Sequence, residues 1–306
     1  MESNSFDSQG VSETAEKSAA LRQKLQLLET SLGVGNINTL LAMNNLALQI
    51  GSEGQLSEAE VLHRRALDQW ERVAGTEDPQ TLRCMDNLGL LLNSTGRYQE
   101  AEEIHQKIVE LRQRILGPEH RDTLLSMNNL ALAHGGLGRT VEAEKLHRQV
   151  LELKKKVLGP NDPSTLNSMN NLASVLRDRG KLAEAEKVYL EELQRCSETL
   201  GGEHPDTVMS MSNLAVVLTD QGKFQMAERV LDRALEVCTK LFGEENPATV
   251  ANMNSLAYVL ENQGKIEPAI QMYQRALTAS EKSVGRNHPS TQQARSNLAS
   301  VRQRTR

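Results

Sequence analysis

The chain has 306 residues, a formal net charge of −5, and 38% hydrophobic but only 3% aromatic residues. The acidic balance provides no overall field to attract nucleic acid, and the few aromatic rings leave little for bases to stack on. No apolar run is long enough for a signal peptide or a membrane span. The composition therefore predicts a cytoplasmic protein that contacts neither nucleic acid nor membrane.

One sequence pattern recurs every 42 residues from one end of the chain to the other, and no insertion disturbs its register. Each copy carries a Thr followed by an Asn-Leu pair, and only Ser255-Leu256 departs from that pair. Uniform periods of 20–50 residues are typical of repeat architectures. The pattern therefore predicts one elongated array of repeats rather than two globular domains. The Thr stands at Thr39, Thr81, Thr123, Thr165, Thr207, Thr249 and Thr291.

The chain begins with a polar lead and a half repeat. Residues 1–11 are rich in Ser, Asn, Gln and Gly, and we expect them to be disordered. Residues 12–35 are predicted to form one helix that Ser12 caps and Gly33 ends. Since Leu25 lies 42 residues before Leu67, this helix matches the second helix of the later repeats.

Residues 36–287 are predicted to form six full repeats, each an antiparallel pair of helices called helix A and helix B. In the first repeat helix A covers about 38–49 and helix B about 57–73. A capping residue, usually followed by Pro, precedes each helix A, and a Gly closes each helix. Gly135-Gly136 predicts an early, loose end for one helix A. Residues 288–306 form a terminal capping helix and tail, which makes fourteen helices and no strand.

The cysteines and histidines give no positive sign of a metal or redox site. Cys196 and Cys238 share a register, but equivalent helices lie about 9–10 Å apart, beyond the limit of about 7 Å for a disulfide. Reduced intracellular thiols are the better interpretation. His63, His105 and His147 also lie one repeat apart, too far for a shared ion, so we predict packing roles and no metal or cofactor.

The local motifs resemble a known repeat family. Met43, Leu46-Ala47, Gly54, Ala59 and Ala66-Leu67 resemble the tetratricopeptide repeat (TPR) signature. The longer period, with Gly201-Gly202-Glu203-His204-Pro205-Asp206-Thr207 between two repeats, is similar to the kinesin-light-chain variety. The resemblance covers about residues 12–301. It implies an all-α, right-handed superhelical solenoid of antiparallel helix pairs, with six full repeats and a half repeat at each end.

The resemblance also implies where a partner binds, because in this family the A helices line a concave groove. An Asn amide both donates and accepts, so a row of Asn can pair with the backbone of an extended peptide. The alternative is that the Asn side chains brace neighbouring A helices. Leu48, Leu90, Leu132, Val216 and Tyr258 are the candidate apolar anchors. The predicted Asn row consists of Asn45, Asn87, Asn129, Asn171, Asn213 and Asn297, joined by Asn44, Asn128, Asn170 and Asn254.

Charge along the predicted groove is uneven. Arg83 and Arg177 lie among the acidic residues Asp86, Asp178, Asp220 and Glu261, so the C-terminal half is expected to be acidic. We therefore predict a basic or neutral partner segment in that half.

The leading functional hypothesis is a protein–protein interaction scaffold or adaptor that binds a segment of another protein. One alternative is a sensor array acting with a STAND-type signalling NTPase. Another is an enzyme or small-molecule-binding solenoid, which a closed pocket near His134 or Tyr258 would favour. No nucleophile, base and orienting group occur at meaningful spacing, so the sequence predicts no enzyme.

Overall fold

The computed structural model describes the backbone of residues 5–304 and the side chains of residues 16–304. Within this range the chain is all-α, with fourteen helices and no strand, as predicted. The A helices are α2 (Ile37–Ser52), α4 (Pro79–Ser94), α6 (Arg121–Gly136), α8 (Pro163–Asp178), α10 (Pro205–Asp220), α12 (Pro247–Asn262) and α14 (Pro289–Gln303). The B helices are α1 (Ser5–Leu32), α3 (Leu56–Ala74), α5 (Tyr98–Leu116), α7 (Thr140–Val157), α9 (Leu182–Leu200), α11 (Phe224–Phe242) and α13 (Ile266–Ser283).

The helix ends follow the capping chemistry of the sequence. Asn36 accepts a hydrogen bond from the backbone N–H of Asn38 at 2.9 Å, and the imidazole Nδ1 of His120 accepts from the N–H of Asp122 at 3.2 Å. At the other end of α2, Gly54 has φ +82° and Gln55 N–H donates to the Ile50 carbonyl at 3.0 Å. This pairing is the left-handed C-cap that the repeated glycines predict.

Two predicted helix boundaries need correction. Helix α1 begins at Ser5 rather than Ser12, because extending a formed helix costs far less than nucleating one; residues 1–4 lie outside the described part. Helix α6 does not end early, since it has 16 residues like α4 and α8. A Cβ on Gly136 would lie 2.2 Å from Cδ1 of Tyr98, so this glycine makes room for an aromatic ring.

The described chain contains two compact units, unit 1 (residues 1–153) and unit 2 (residues 154–306). In unit 1, α2 packs on α3 and α4 packs on α5, and A helices also contact each other, α2 with α4 and α4 with α6. In unit 2, α10 packs on α11 and also contacts α12. Within each unit, A helices thus pack on B helices and also contact other A helices.

The Thr that marks the 42-residue period closes the turn between repeats. Its side chain is fully buried in every repeat. Thr123 Oγ1 donates to the carbonyl of Gly117 at 2.8 Å, and Thr165 and Thr207 make the same bond to Gly159 and Gly201. In these repeats the hydroxyl satisfies a carbonyl at the end of one helix B from within the next helix A, whereas the buried hydroxyls of Thr39, Thr81 and Thr249 have no hydrogen-bond partner.

In several repeats the cation that follows the helix-A turn forms an ion pair with the preceding repeat. Arg97 lies 2.6 Å from Glu60 in unit 1. In unit 2, Lys223 and Lys265 pair with Glu186 and Glu228, also at 2.6 Å. These pairs are partly exposed and each contributes only about 0–1 kcal/mol, but they recur at one register. They account for the Gly-Lys or Gly-Arg and Ala-Glu motifs of the repeat.

Several polar residues lie in the core, contrary to the sequence-based expectation. Asp86 is buried and its Oδ2 lies 2.5 Å from Nη1 of Arg112, so it adds no charge to the surface. Lys154 of α7 is also buried, and its ammonium donates to Ser168 Oγ at 2.8 Å. Trp70 packs in a core cluster with Leu25 of α1. A single sequence shows only the register of these residues, whereas their partners come from an adjacent helix.

None of the helices in the described residues is both long enough and apolar enough to cross a membrane.

Candidate functional site

The A helices of unit 1 carry a row of exposed leucines. Leu48, Leu90 and Leu132 occupy the same register and are 47%, 44% and 42% exposed. We call these three residues the leucine row. Asn45, three positions before Leu48, is exposed, and Asn87 is half-buried. The surface is therefore apolar, with the exposed amide of Asn45 and the half-buried amide of Asn87 beside it.

The predicted asparagines divide into exposed and structural positions. Asn44, Asn128 and Asn129 are buried. The amide of Asn87 donates to Asn44 Oδ1 at 3.0 Å, which links α4 to α2. The bond between Asn87 and Asn44 is a contact of the kind expected if Asn side chains brace neighbouring A helices, the alternative that the sequence left open. Asn45 is the member of the row whose side chain is exposed in unit 1.

The same bracing occurs in unit 2. Asn213 donates to Asn170 Oδ1 at 2.7 Å, linking α10 to α8. Asn171 Nδ2 lies 3.3 Å from Asn167 Oδ1, and Asn254 donates to the Val250 carbonyl at 3.1 Å within α12. The four predicted asparagines in these contacts, Asn170, Asn171, Asn213 and Asn254, are half-buried. The bond between Asn213 and Asn170 joins two helices, whereas the contacts of Asn171 and Asn254 lie within one helix, and all four amides keep part of their surface accessible.

The predicted charged residues of unit 2 lie at the ends of A helices. Arg177 Nε donates to Asp220 Oδ2 at 2.8 Å, and both side chains are about two-fifths exposed. Asp178 is exposed beside them. Arg83 lies apart, exposed on α4 of unit 1. The structure thus brings Arg177 and Asp220 together but not Arg83.

Unit 2 has a cavity of about 550 Å³ bounded by the A helices α10, α12 and α14. Buried Ala215, Leu231 and Tyr273 form its floor. Tyr258, which is 51% exposed, stands at the rim. The residues predicted for the groove that line this cavity are Val216, Asp220, Asn254, Tyr258, Glu261 and Asn297. The other lining residues include Thr219, Ser255, Asn262, Ser300 and Arg304.

Two small residues line the cavity at registers where most other A helices carry larger side chains. Ser255 stands where five of the six other A helices carry the half-buried or buried Asn of the row, and Ser300 stands at the register of the leucine row. Both are small, so space that larger side chains fill elsewhere is open here. In the sequence, Ser255 is visible as the single exception to the repeated Asn-Leu pair.

The carboxylate of Glu261 is the electrostatic centre of the cavity. Its side chain is 11% exposed, and it accepts hydrogen bonds from Tyr273 OH at 3.3 Å and from Arg304 Nη1 at 2.7 Å. Burial, with Glu261 nearby, raises the pKa of the Tyr273 hydroxyl, which therefore stays a neutral donor. Tyr273 and Arg304 were absent from the sequence-based site because they depend on contacts between helices.

The histidines of the B helices have packing roles. His63, His105 and His147 are buried, and burial lowers the pKa of His63 and His105 to about 4, so these two are neutral at pH 7. The described residues hold no group of three His, Cys, Asp or Glu side chains suited to a metal ion. His134 is partly buried, with Nδ1 3.1 Å from Glu102 Oε1.

The repeated pairs of antiparallel helices, with amides and apolar side chains along the A helices, define a helical repeat protein. The tetratricopeptide repeat family model matches residues 38–107, 86–156, 136–193, 164–239 and 208–282. Together these matches span residues 38–282, so the chain belongs to the tetratricopeptide repeat family. Members of this family generally act as scaffolds for protein–protein interaction and are typically not enzymes.

Solved structures of kinesin-light-chain-like repeats are similar to this chain. Two crystal structures, one of them of a substituted form, contain nearly identical TPR-like repeats of a Podosopora anserina protein assigned as a kinesin light chain. Both are 27% identical with TM-score 0.61; they cover 67% and 68% of this chain and 97% and 99% of theirs. BtubC (bKLC) of P. vanneervenii shares the fold at 21% identity and TM-score 0.64, covering 76% of this chain and 94% of its own. No curated protein matches the sequence.

Proposed function

We propose that this chain is an interaction scaffold or adaptor that binds an extended segment of another protein along its A helices. The leucine row of unit 1 is the observation that carries the proposal. Soluble helices bury their apolar side, yet these three leucines repeat at one register with nearly half of each side chain in water. A row of such residues on neighbouring helices is suited to apolar side chains of a partner.

The energetics favour a partner held by several residues at once. Full burial of a Leu side chain is worth about 1.5–3 kcal/mol, so a half-exposed Leu adds about 1 kcal/mol. A hydrogen bond from an exposed amide such as that of Asn45 contributes about 0.5–1.5 kcal/mol. Neither suffices alone, whereas three leucines and a few amides together support a specific complex.

The test replaces the leucine row and compares it with a control of the same chemistry on other helices. The baits are the wild type and one triple variant that carries Leu48→Ser, Leu90→Ser and Leu132→Ser. The proteins bound to each bait are quantified by mass spectrometry. The control carries Val61→Ser, Ile115→Ser and Val141→Ser, which remove exposed apolar side chains from the B helices of the same unit. Circular dichroism and thermal unfolding confirm that all three proteins are folded.

A partner bound by the wild type and the control should be retained about ten- to a hundredfold less by the leucine-row variant, corresponding to about 1.4–2.8 kcal/mol. If the leucine-row variant and the control retain the same proteins equally, the A helices of unit 1 are not the binding surface.

The two roles of the asparagines can be separated within unit 1. Asn45→Ala removes an exposed amide, so it is expected to weaken partner binding without lowering the melting temperature. Asn87→Ala removes the bond to Asn44 and is expected to lower the free energy of unfolding by about 0.5–1.5 kcal/mol. Equal melting temperatures for the two variants would contradict the bracing role of Asn87.

A further inference from the structure

We propose that the cavity of unit 2 binds one lysine or arginine side chain of a partner segment, and that Arg304 occupies the cavity's carboxylate until that partner arrives. This inference rests on the proposed function, and it specifies the chemistry that one part of the surface recognises.

The first support is the carboxylate itself. Glu261 occupies a register that is Gly51, Asn93, Gly135, Arg177 and Thr219 in the other full repeats, so only α12 carries an acid there. Its side chain is 11% exposed. A charge removed from water to that extent needs a cation and hydrogen bonds close by. Tyr273 supplies one hydrogen bond from the floor of the cavity.

The second support is the cation already present. Arg304, the residue after α14, donates from Nη1 to Glu261 Oε1 at 2.7 Å. Its own side chain is 68% exposed, so its guanidinium reaches the carboxylate from the solvent side and can return to water at little cost. The site therefore binds a guanidinium in this structure, and the geometry suits a cation that enters more deeply.

The third support is the lining of the cavity. It contains the carboxylates of Asp220, which is paired with Arg177, and of Glu261, which is paired with Arg304, so Glu261 is left without a cation when Arg304 leaves. Tyr258 at the rim and Tyr273 at the floor offer aromatic rings, which attract cations. An acidic side chain would instead meet like charge. These features select a basic side chain over an acidic or neutral one.

The position on the A helices supports a partner residue rather than a free small molecule. The cavity is bounded by three successive A helices, and half-buried Asn254 and Asn297 line it. An extended segment lying across the A helices can place its backbone against these amides while one long side chain enters the cavity. The small Ser255 and Ser300 leave room for that side chain.

The experiment measures whether the cavity distinguishes a cation from its neutral analogue. Two short, fluorescently labelled glycine-serine peptides are identical except for a central arginine in one and citrulline in the other. Their binding is followed by fluorescence anisotropy up to the solubility limit of the peptide. The full chain is used as the wild type and with Arg304→Gln, Glu261→Gln or Arg302→Gln.

Arg302→Gln is the matched control, because Arg302 is also an exposed arginine of α14 but hydrogen-bonds Gln274 at 2.6 Å, outside the cavity lining. Arg304→Gln is expected to strengthen binding of the arginine peptide about two- to fivefold, the effect of losing an exposed ion pair. Arg302→Gln should bind like the wild type. Glu261→Gln should remove the preference for arginine over citrulline; thermal unfolding verifies that this isosteric variant is folded.

Three results would overturn the inference. They are equal affinity of wild type and Arg304→Gln for the arginine peptide, an unchanged preference for arginine in Glu261→Gln, and no binding of the arginine peptide to Arg304→Gln. If both peptides bind equally to every protein, the cavity does not recognise a cation, yet segment binding along the A helices stands. The proposed function is tested separately: it would be refuted if the leucine-row variant and its control retained the same proteins equally in the bait experiment.

Discussion

A buried carboxyl in unit 2 predicts a contribution to the stability of the protein that decreases as the pH rises from 5 to 8. Glu192 lies in α9 at a register occupied by Ala66, Ile108, Val150, Ala234 and Ala276 in the other repeats, and its side chain is buried. Ser210 Oγ donates to Glu192 Oε1 at 3.0 Å, while the other oxygen has no hydrogen-bond partner. A carboxylate with one bond in an apolar core is costly.

Burial raises the pKa of Glu192 from its ordinary value of 4.5 to about 7. Below pH 4.5 the group is protonated in the folded and the unfolded state and adds no pH dependence. Between pH 4.5 and 7 the unfolded chain releases the Glu192 proton while the folded chain retains it, so the contribution of Glu192 to stability declines with rising pH. At about 1.4 kcal/mol for each unit of pKa, the loss is on the order of 3 kcal/mol.

The assay is urea unfolding followed by circular dichroism at pH 5 and pH 8, for wild type and Glu192→Gln. The amide keeps the shape and never ionises, so this variant should gain the most over wild type at pH 8 and much less at pH 5. Glu198→Gln, an exposed position on the same helix, is the control and should keep the pH dependence of the wild type. A wild-type slope in Glu192→Gln, or a loss of stability at pH 8, would refute the reasoning.

Two further changes test the packing between helices. Arg112→Ala leaves the buried carboxylate of Asp86 without its cation and should lower the free energy of unfolding by about 3–5 kcal/mol in urea titrations at pH 8. The loss should be smaller at pH 5, because burial raises the pKa of Asp86 to about 6 and the carboxyl is then mostly protonated. An equal loss at both pH values would contradict this. Gly136→Ala forces the ring of Tyr98 to move and should lower stability by about 1–3 kcal/mol. In Gly135→Ala the new Cβ meets no atom within 4 Å, so this substitution should raise stability by up to about 1 kcal/mol. Similar melting temperatures for the two glycine variants would show that Tyr98 does not need the space.

The candidate functional site could be predicted only where its residues follow the 42-residue period of the sequence. The exposed leucine row lies at the register predicted for apolar anchors, because register places a residue on one face of a helix. The bond from Asn87 to Asn44 and the ion pair of Asp86 with Arg112 were not predictable in the same way. Each joins residues on different helices, and the choice of partner depends on how closely those helices approach.

By itself, the amino-acid sequence determined the number of helices, most of their ends and their pairing, because caps, prolines and glycines act within one turn of the chain and recur every 42 residues. Only the tertiary structure decided which departures from the period matter. Ser255 lines a cavity, Gly136 admits Tyr98, and Glu192 is buried with one hydrogen bond. The physical reason is that volume, burial and charge compensation are properties of the space between helices, to which residues distant in the sequence contribute jointly.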